Sequence, residues 1–134
     1  MIELFSTCQN AEEKYQKIIM LGKEQKPLSD EQKTPELRVA GCQSRMYLLC
    51  RYEDGNLYFQ SEADALISAG LGILLTRVYS GETPYAILSC PPTYLESLAI
   101  MQTLTPGRAN GLASLYIRIK QEALKYYSKG TSHA

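Results

Sequence analysis

Arg45-Met46-Tyr47-Leu48-Leu49-Cys50-Arg51-Tyr52-Glu53-Asp54-Gly55-Asn56-Leu57-Tyr58-Phe59-Gln60 is the stretch that decides the fold class. From Arg45 to Tyr52 the chain favours an extended backbone, with Met46, Leu48 and Cys50 on one face. After the turn Glu53-Asp54-Gly55-Asn56, Leu57 and Phe59 alternate with Tyr58 and Gln60. This pattern predicts an antiparallel hairpin with one apolar face, and that face needs cover. The cover follows directly in the chain. Leu66 to Val78 is apolar nearly all round, interrupted mainly by Ser68, Thr76 and Arg77, which suits a helix packed on several sides at the centre of a domain. Gly70 and Gly72 are expected to permit close packing there.

Working outward toward the amino end, Asn10 followed by Glu13 has the form of a capping box. Tyr15, Ile18, Ile19 and Gly22 then share one helical face, predicting a helix over about 11–25. Lys26 to Ala40, with Pro27, Ser29, Asp30 and Pro35, reads as an exposed connection. Toward the carboxyl end, Ala86 to Cys90 is expected to be a short third strand, ended by Pro91-Pro92 before a helix from Thr93 to Thr103. A last helix over about 108–127 would bury Leu112, Leu115, Tyr116, Ile119 and Ala123 and pair Arg118 with Glu122 on its outside. The expected architecture is α+β: a small antiparallel sheet of about three strands packed against several helices, in one domain spanning 1–134 with flexible ends at 1–9 and 129–134.

The composition bounds function by exclusion. In 134 residues, Lys plus Arg and Asp plus Glu balance at 14 each, so no bulk field points to nucleic acid or an anionic membrane. The most apolar stretch, Ala65 to Tyr79, is shorter than the roughly 18 residues a membrane span needs. Met1 to Tyr15 has neither a basic leader before a long apolar run nor an arginine-rich presequence, so a cytoplasmic protein is expected. The only histidine, His133, is next to last, which argues against Cys–His dyads and His-ligated metals. Cys8, Cys42, Cys50 and Cys90 show no CxxC spacing, and each is judged alone.

Cys42 stands out among them. It lies between a polar segment and a strand, beside Gly41 with no side chain to shield it, and near Arg38 and Arg45, whose charge favours a thiolate. The other fate open to it is that of a small core hydrophobe. Cys50 and Cys90 belong to apolar strand patterns and are expected to be buried and inert, while Cys8 precedes the first helix in a segment expected to fray. A second constellation, Leu104-Thr105-Pro106-Gly107-Arg108-Ala109-Asn110-Gly111-Leu112, reads as a turn that opens the last helix. Arg108 there is disfavoured by the helix dipole, which hints at an anchoring partner or anion, whereas Asp64 before the central helix is an ordinary favourable first-turn charge.

Gly41-Cys42-Gln43-Ser44 resembles the active-cysteine motif of the SufE family, and Leu104 to Arg108 with Asn110-Gly111-Leu112 resembles its second signature. Glu12-Glu13-Lys14-Tyr15, Asp64, Gly70 and Leu71 recur in the family's order, so the resemblance covers roughly residues 8 to 127. It implies a SufE/IscU-like fold and a sulfur acceptor that takes persulfide sulfur onto Cys42 from a SufS-like, pyridoxal-phosphate-dependent cysteine desulfurase. It further implies stimulation of that enzyme, relay of sulfur to a SufBCD-like scaffold, and no cofactor of its own. Gly41, Gln43 and Ser44 would shape the cysteine segment, and Arg108 would support it or contact the desulfurase. The resemblance does not separate SufE proper from its paralogue CsdE, and it leaves a homodimer open. Met46-Tyr47 replaces the family's usual valine–tryptophan, and Thr103 stands where many members have histidine. Local charge and the desulfurase's own site must then form the thiolate.

Overall fold

A computed structural model describes residues 11–40, 45–89 and 106–131. The hairpin forms as expected: β1 (Met46–Glu53) and β2 (Asn56–Ala63) pair antiparallel, from Met46 opposite Ala63 to Glu53 opposite Asn56. Asp54 (φ 53°) and Gly55 (φ 84°) both take the left-handed conformation, the two-residue turn whose twist matches that of the flanking strands. Met46, Leu48, Leu57, Phe59 and Ala63 are buried on the inner face.

Against that face lies α2 (Leu66–Tyr79), buried along most of its length as its all-round apolar pattern predicts. Two glycines set its depth. A Cβ at Gly72 would stand 2.4 Å from the Ser61 hydroxyl, and one at Gly70 would stand 1.9 Å from the carbonyl oxygen of Ile18. The second contact belongs to α1 (Ala11–Gly22), which packs on the other side of α2 and stops three residues short of the expected Gln25. Asn10, the expected cap, lies outside the described residues.

The expected strand over Ala86–Cys90 is a correction. Pro84–Ser89 is a short helix, α3. Thr83 stands before Pro84, its hydroxyl accepts the Ala86 amide at 3.1 Å, and its carbonyl accepts the Ile87 amide at 3.0 Å. This is a threonine cap followed by proline at the first helical position, and it outweighs the extended preference of Ile87 and Leu88. The expected helix over Thr93–Thr103 lies outside the described residues. The last helix, α4 (Pro106–Thr131), runs past Tyr127 at its carboxyl end and includes 129–131 of the expected flexible end. It buries Leu112, Leu115, Ile119 and Ala123 against α2, α3 and β1.

With 84–89 helical, the outer edge of β2 is covered piecemeal. Leu57 exchanges hydrogen bonds with the chain at 81–82: its amide donates to Glu82 at 2.9 Å and its carbonyl accepts the Gly81 amide at 2.7 Å. The Ser80 hydroxyl accepts the Phe59 amide at 2.8 Å and donates to the Phe59 carbonyl at 3.2 Å. The Gln25 carboxamide does the same for Ala63, at 3.1 and 2.9 Å. Side chains thus satisfy the backbone groups that would otherwise recruit another strand.

Candidate functional site

The cysteine motif is best approached from the chain on either side of it. On the amino side a 3-10 turn (Pro35–Leu37) leads to Arg38 and Val39. Arg38 forms a β-bridge with Tyr47, and the Val39 amide donates to the Met46 carbonyl at 2.9 Å. Val39 and Met46 are both buried, so this rung is anchored in the core. The connection over 26–40 is therefore less exposed than its sequence suggests, since Leu28 is buried as well.

On the carboxyl side Asp64 holds Arg45 through two contacts. The Arg45 amide donates to the Asp64 carboxylate at 3.1 Å, and the Asp64 amide donates to the Arg45 carbonyl at 3.1 Å. Its role is therefore more specific than a first-turn charge. It ties the start of β1 to the entry of α2.

A third tie comes from α4. Arg118 donates from its guanidinium to the carbonyls of Glu36 and of Arg38, the latter at 3.2 Å, while its Nε donates to Glu122 at 3.3 Å. The expected Arg118–Glu122 pair is present, but its spacing gave no sign that the guanidinium also reaches back across the chain. The three ties place Ala40 and Arg45, the described ends that flank 41–44, at the edge of the sheet.

Gly41, Cys42, Gln43 and Ser44 lie outside the described residues, as do Cys8 and Cys90; Arg108 is in the first turn of α4, but its side chain is not among those described. Of the residues expected near Cys42, Arg38 and Arg45 are exposed, and among the described residues neither forms an ion pair. Cys50 is half-buried, with its thiol pushed up to about 12, first by burial and then by the nearby Glu122 carboxylate. Such a thiol is neutral at physiological pH and a poor nucleophile. It borders an open cavity of about 350 Å³ that also touches Arg51, Tyr58 and Ser80. Among the described residues no cluster of histidine, cysteine or carboxylate side chains is arranged to hold a metal ion, and no helix is long and apolar enough to cross a membrane.

Residues 1–123 match the family model described as SufE, Fe–S metabolism associated domain. The chain belongs to the SufE family. It is 29% identical over 126 residues to an uncharacterized SufE-like protein of Synechocystis, covering 94% of this chain and 79% of that one. It is 30% identical over 131 residues to SufE-like protein 1, chloroplastic/mitochondrial, of Arabidopsis thaliana, covering 97% of this chain but only 35% of that longer protein. The fold matches the solution structure of a hypothetical protein from Thermus thermophilus with a TM-score of 0.73 and 25% identity, over 94% of this chain and 92% of that one. SufE membership associates the chain with iron–sulfur metabolism and, in general terms, with a cysteine desulfurase partner.

Proposed function

We propose that this SufE protein accepts sulfane sulfur on Cys42 as a persulfide from a SufS-like cysteine desulfurase, stimulates that enzyme, and relays the sulfur to a SufBCD-like scaffold. The observation that carries the reading is the SufE match over residues 1–123, a span that contains the Gly41-Cys42-Gln43-Ser44 motif. The bracing of the chain at Val39, Met46, Arg45 and Asp64 supports it, because a carrier thiol must be presented from a fixed base.

The chemistry is sulfur transfer without net oxidation or reduction. The Cys42 thiolate attacks the outer sulfur of the donor persulfide and forms a new S–S bond. The donor's S–S bond breaks, and the donor cysteine leaves as a thiolate. Arg38 and Arg45, both exposed beside the motif, favour the anionic form of Cys42 and of its persulfide. Gly41, Gln43 and Ser44 shape the segment, and Arg108 supports it or meets the desulfurase. The protein needs no cofactor of its own, since pyridoxal phosphate on the desulfurase supplies the carbon–sulfur cleavage. A reducing cytoplasm is the compartment that keeps a carrier thiol unpaired.

Incubation with a cysteine desulfurase and free cysteine, followed by alkylation and peptide mass spectrometry, tests this. The expected result is an adduct of about 32 Da per sulfur atom on the Cys42 peptide, absent in Cys42→Ser, consistent with a reversible cap on a reactive thiol. Stimulated turnover with no adduct would replace the carrier with a non-covalent regulator.

A further inference from the structure

The two sides of the hairpin are used differently. Its inner side is buried in the core, and those residues alternate with Tyr47, Leu49 and Arg51 on β1 and with Tyr58, Gln60 and Glu62 on β2. The chain before the cysteine motif extends this outer face. Arg38 bridges to Tyr47 and so shares its side, while Val39 is buried with Met46. Arg45 precedes the buried Met46 and falls on the side of Tyr47 by the same alternation. Arg38 and Arg45 thus share the outer face, beside the two described ends of the motif.

Charge on this face is unevenly committed. The connection over 26–33 meets it at Gln60 and Glu62: the Gln60 carboxamide donates to the Lys26 carbonyl at 3.1 Å, and Glu62 accepts the Leu28 amide at 2.8 Å and pairs with Lys33 at 2.9 Å. Glu53 pairs with Arg51 at 2.9 Å, and Asp64 accepts the Arg45 amide. Each of these carboxylates has a partner, whereas the exposed guanidiniums of Arg38 and Arg45 form no ion pair among the described residues. At the far end Arg51 lies over the Tyr58 ring, 5.0 Å from its centroid, and both border the open cavity of about 350 Å³ together with Leu49 and Gln60. Arginine and tyrosine around a cavity that admits a side chain are the groups that anchor protein interfaces.

We propose that this outer face, from Arg38 and Arg45 to Arg51 and Tyr58, is the surface on which the cysteine desulfurase docks, with an acidic patch of the desulfurase meeting the free guanidiniums and one of its side chains entering the cavity. This inference rests on the acceptor reading of Cys42, which supplies the partner. A desulfurase that hands sulfur to Cys42 must meet the chain between Ala40 and Arg45, and the unpaired guanidiniums at that approach lie on one side of the sheet. Guanidiniums take carboxylates through paired, directional hydrogen bonds, so the complementary surface is acidic. The Arg51 end is separable from the chemistry: from Arg45 the strand runs roughly 20 Å, beyond the screening length of about 8 Å at physiological salt.

The test measures binding of the full chain to a SufS-like cysteine desulfurase by calorimetry without cysteine, and Cys42 persulfide by mass spectrometry in a parallel titration with cysteine. The double variant Arg38→Glu with Arg45→Glu is expected to raise Kd about thirtyfold and Arg51→Glu about tenfold, both with a weaker salt dependence than wild type. Gln121→Glu, exposed on α4, is expected to stay within about twofold. Arg51→Glu is also expected to raise the half-saturating concentration about tenfold while leaving the maximal rate of persulfide formation within about twofold, the split that separates docking from chemistry. Leu49→Trp, which fills the cavity without adding charge, is expected to raise Kd about fivefold and carries the far-end test if Arg51→Glu does not fold. An unchanged Kd in the double variant, or at the far end, would overturn the inference, and so would a wild type that does not bind the desulfurase. If wild type binds but forms no persulfide, the acceptor reading fails, and the Kd changes still decide whether this face docks the enzyme.

Discussion

Cys50, on β1, is half-buried, where a thiolate loses part of its water and lies near the Glu122 carboxylate. Its thiol ionises at about 12, against 9.0 in an unperturbed cysteine. Between those values the folded chain keeps a proton that the unfolded chain gives up. The stabilisation linked to this group is therefore full below about pH 9 and is lost as the pH rises toward the folded value. Stability from pH 9 to 11 is expected to fall more steeply in wild type than in Cys50→Ala, the difference removing the shared titration of lysines and tyrosines. Parallel slopes would show that Cys50 does not contribute. The same shift predicts reactivity: at pH 8 the thiolate fraction of Cys50 is lower than that of an unperturbed cysteine by a factor on the order of a thousand. Iodoacetamide should leave Cys50 unmodified in the folded protein and label it on unfolding, so rapid labelling of folded Cys50 would remove the contrast with Cys42.

Packing of α1 on α2 depends on Gly70 meeting the Ile18 carbonyl, with no room for a methyl group. Gly70→Ala must push two backbones apart and is expected to cost about 2–4 kcal/mol by chemical denaturation, as overpacked core sites do. Gly55→Ala meets no atom within 4 Å but keeps φ at 84°, and should cost only about 1 kcal/mol of conformational strain. Equal losses at the two sites would argue against the close approach. The hairpin, the central helix and the inward face of α4 were legible because each depends on a local period of apolar residues. The helix over 84–89 was missed because the apolar run from Ala86 was read as a strand, while the signal for a helix was the threonine cap before Pro84. The backbone contacts of Gln25, Ser80 and Arg118 carried no signal, since each reaches groups far along the chain. For the candidate site, Cys42 was conspicuous by its motif and Arg118 was not, because a guanidinium bound to distant carbonyls leaves no spacing in the sequence.

Among the described residues, one contiguous core takes buried side chains from the four helices and both strands: Ile18 from α1, Leu48 and Leu57 from the hairpin, Leu74 and Leu75 from α2, Ile87 from α3, Leu115 and Ile119 from α4. A core shared in this way gives no element a hydrophobic interior of its own, so the molecule should unfold in one step. The stacked rings of Tyr52 and Tyr126, with centroids 4.8 Å apart, report the union of β1 with α4, and the protein has no tryptophan to mask their fluorescence. Urea unfolding followed by tyrosine fluorescence and by far-UV circular dichroism is expected to give coincident midpoints. Ile119→Ala removes a side chain with no exposed surface, next to Arg118, and should move both midpoints down together by the equivalent of about 2–4 kcal/mol. Arg118→Met should move them far less, because exposed hydrogen bonds contribute on the order of 1 kcal/mol each. Separated midpoints, with tyrosine fluorescence changing before the helical signal, would mean that α4 detaches as a unit. The tie from Arg118 to the cysteine segment would then be broken before the rest of the fold is lost.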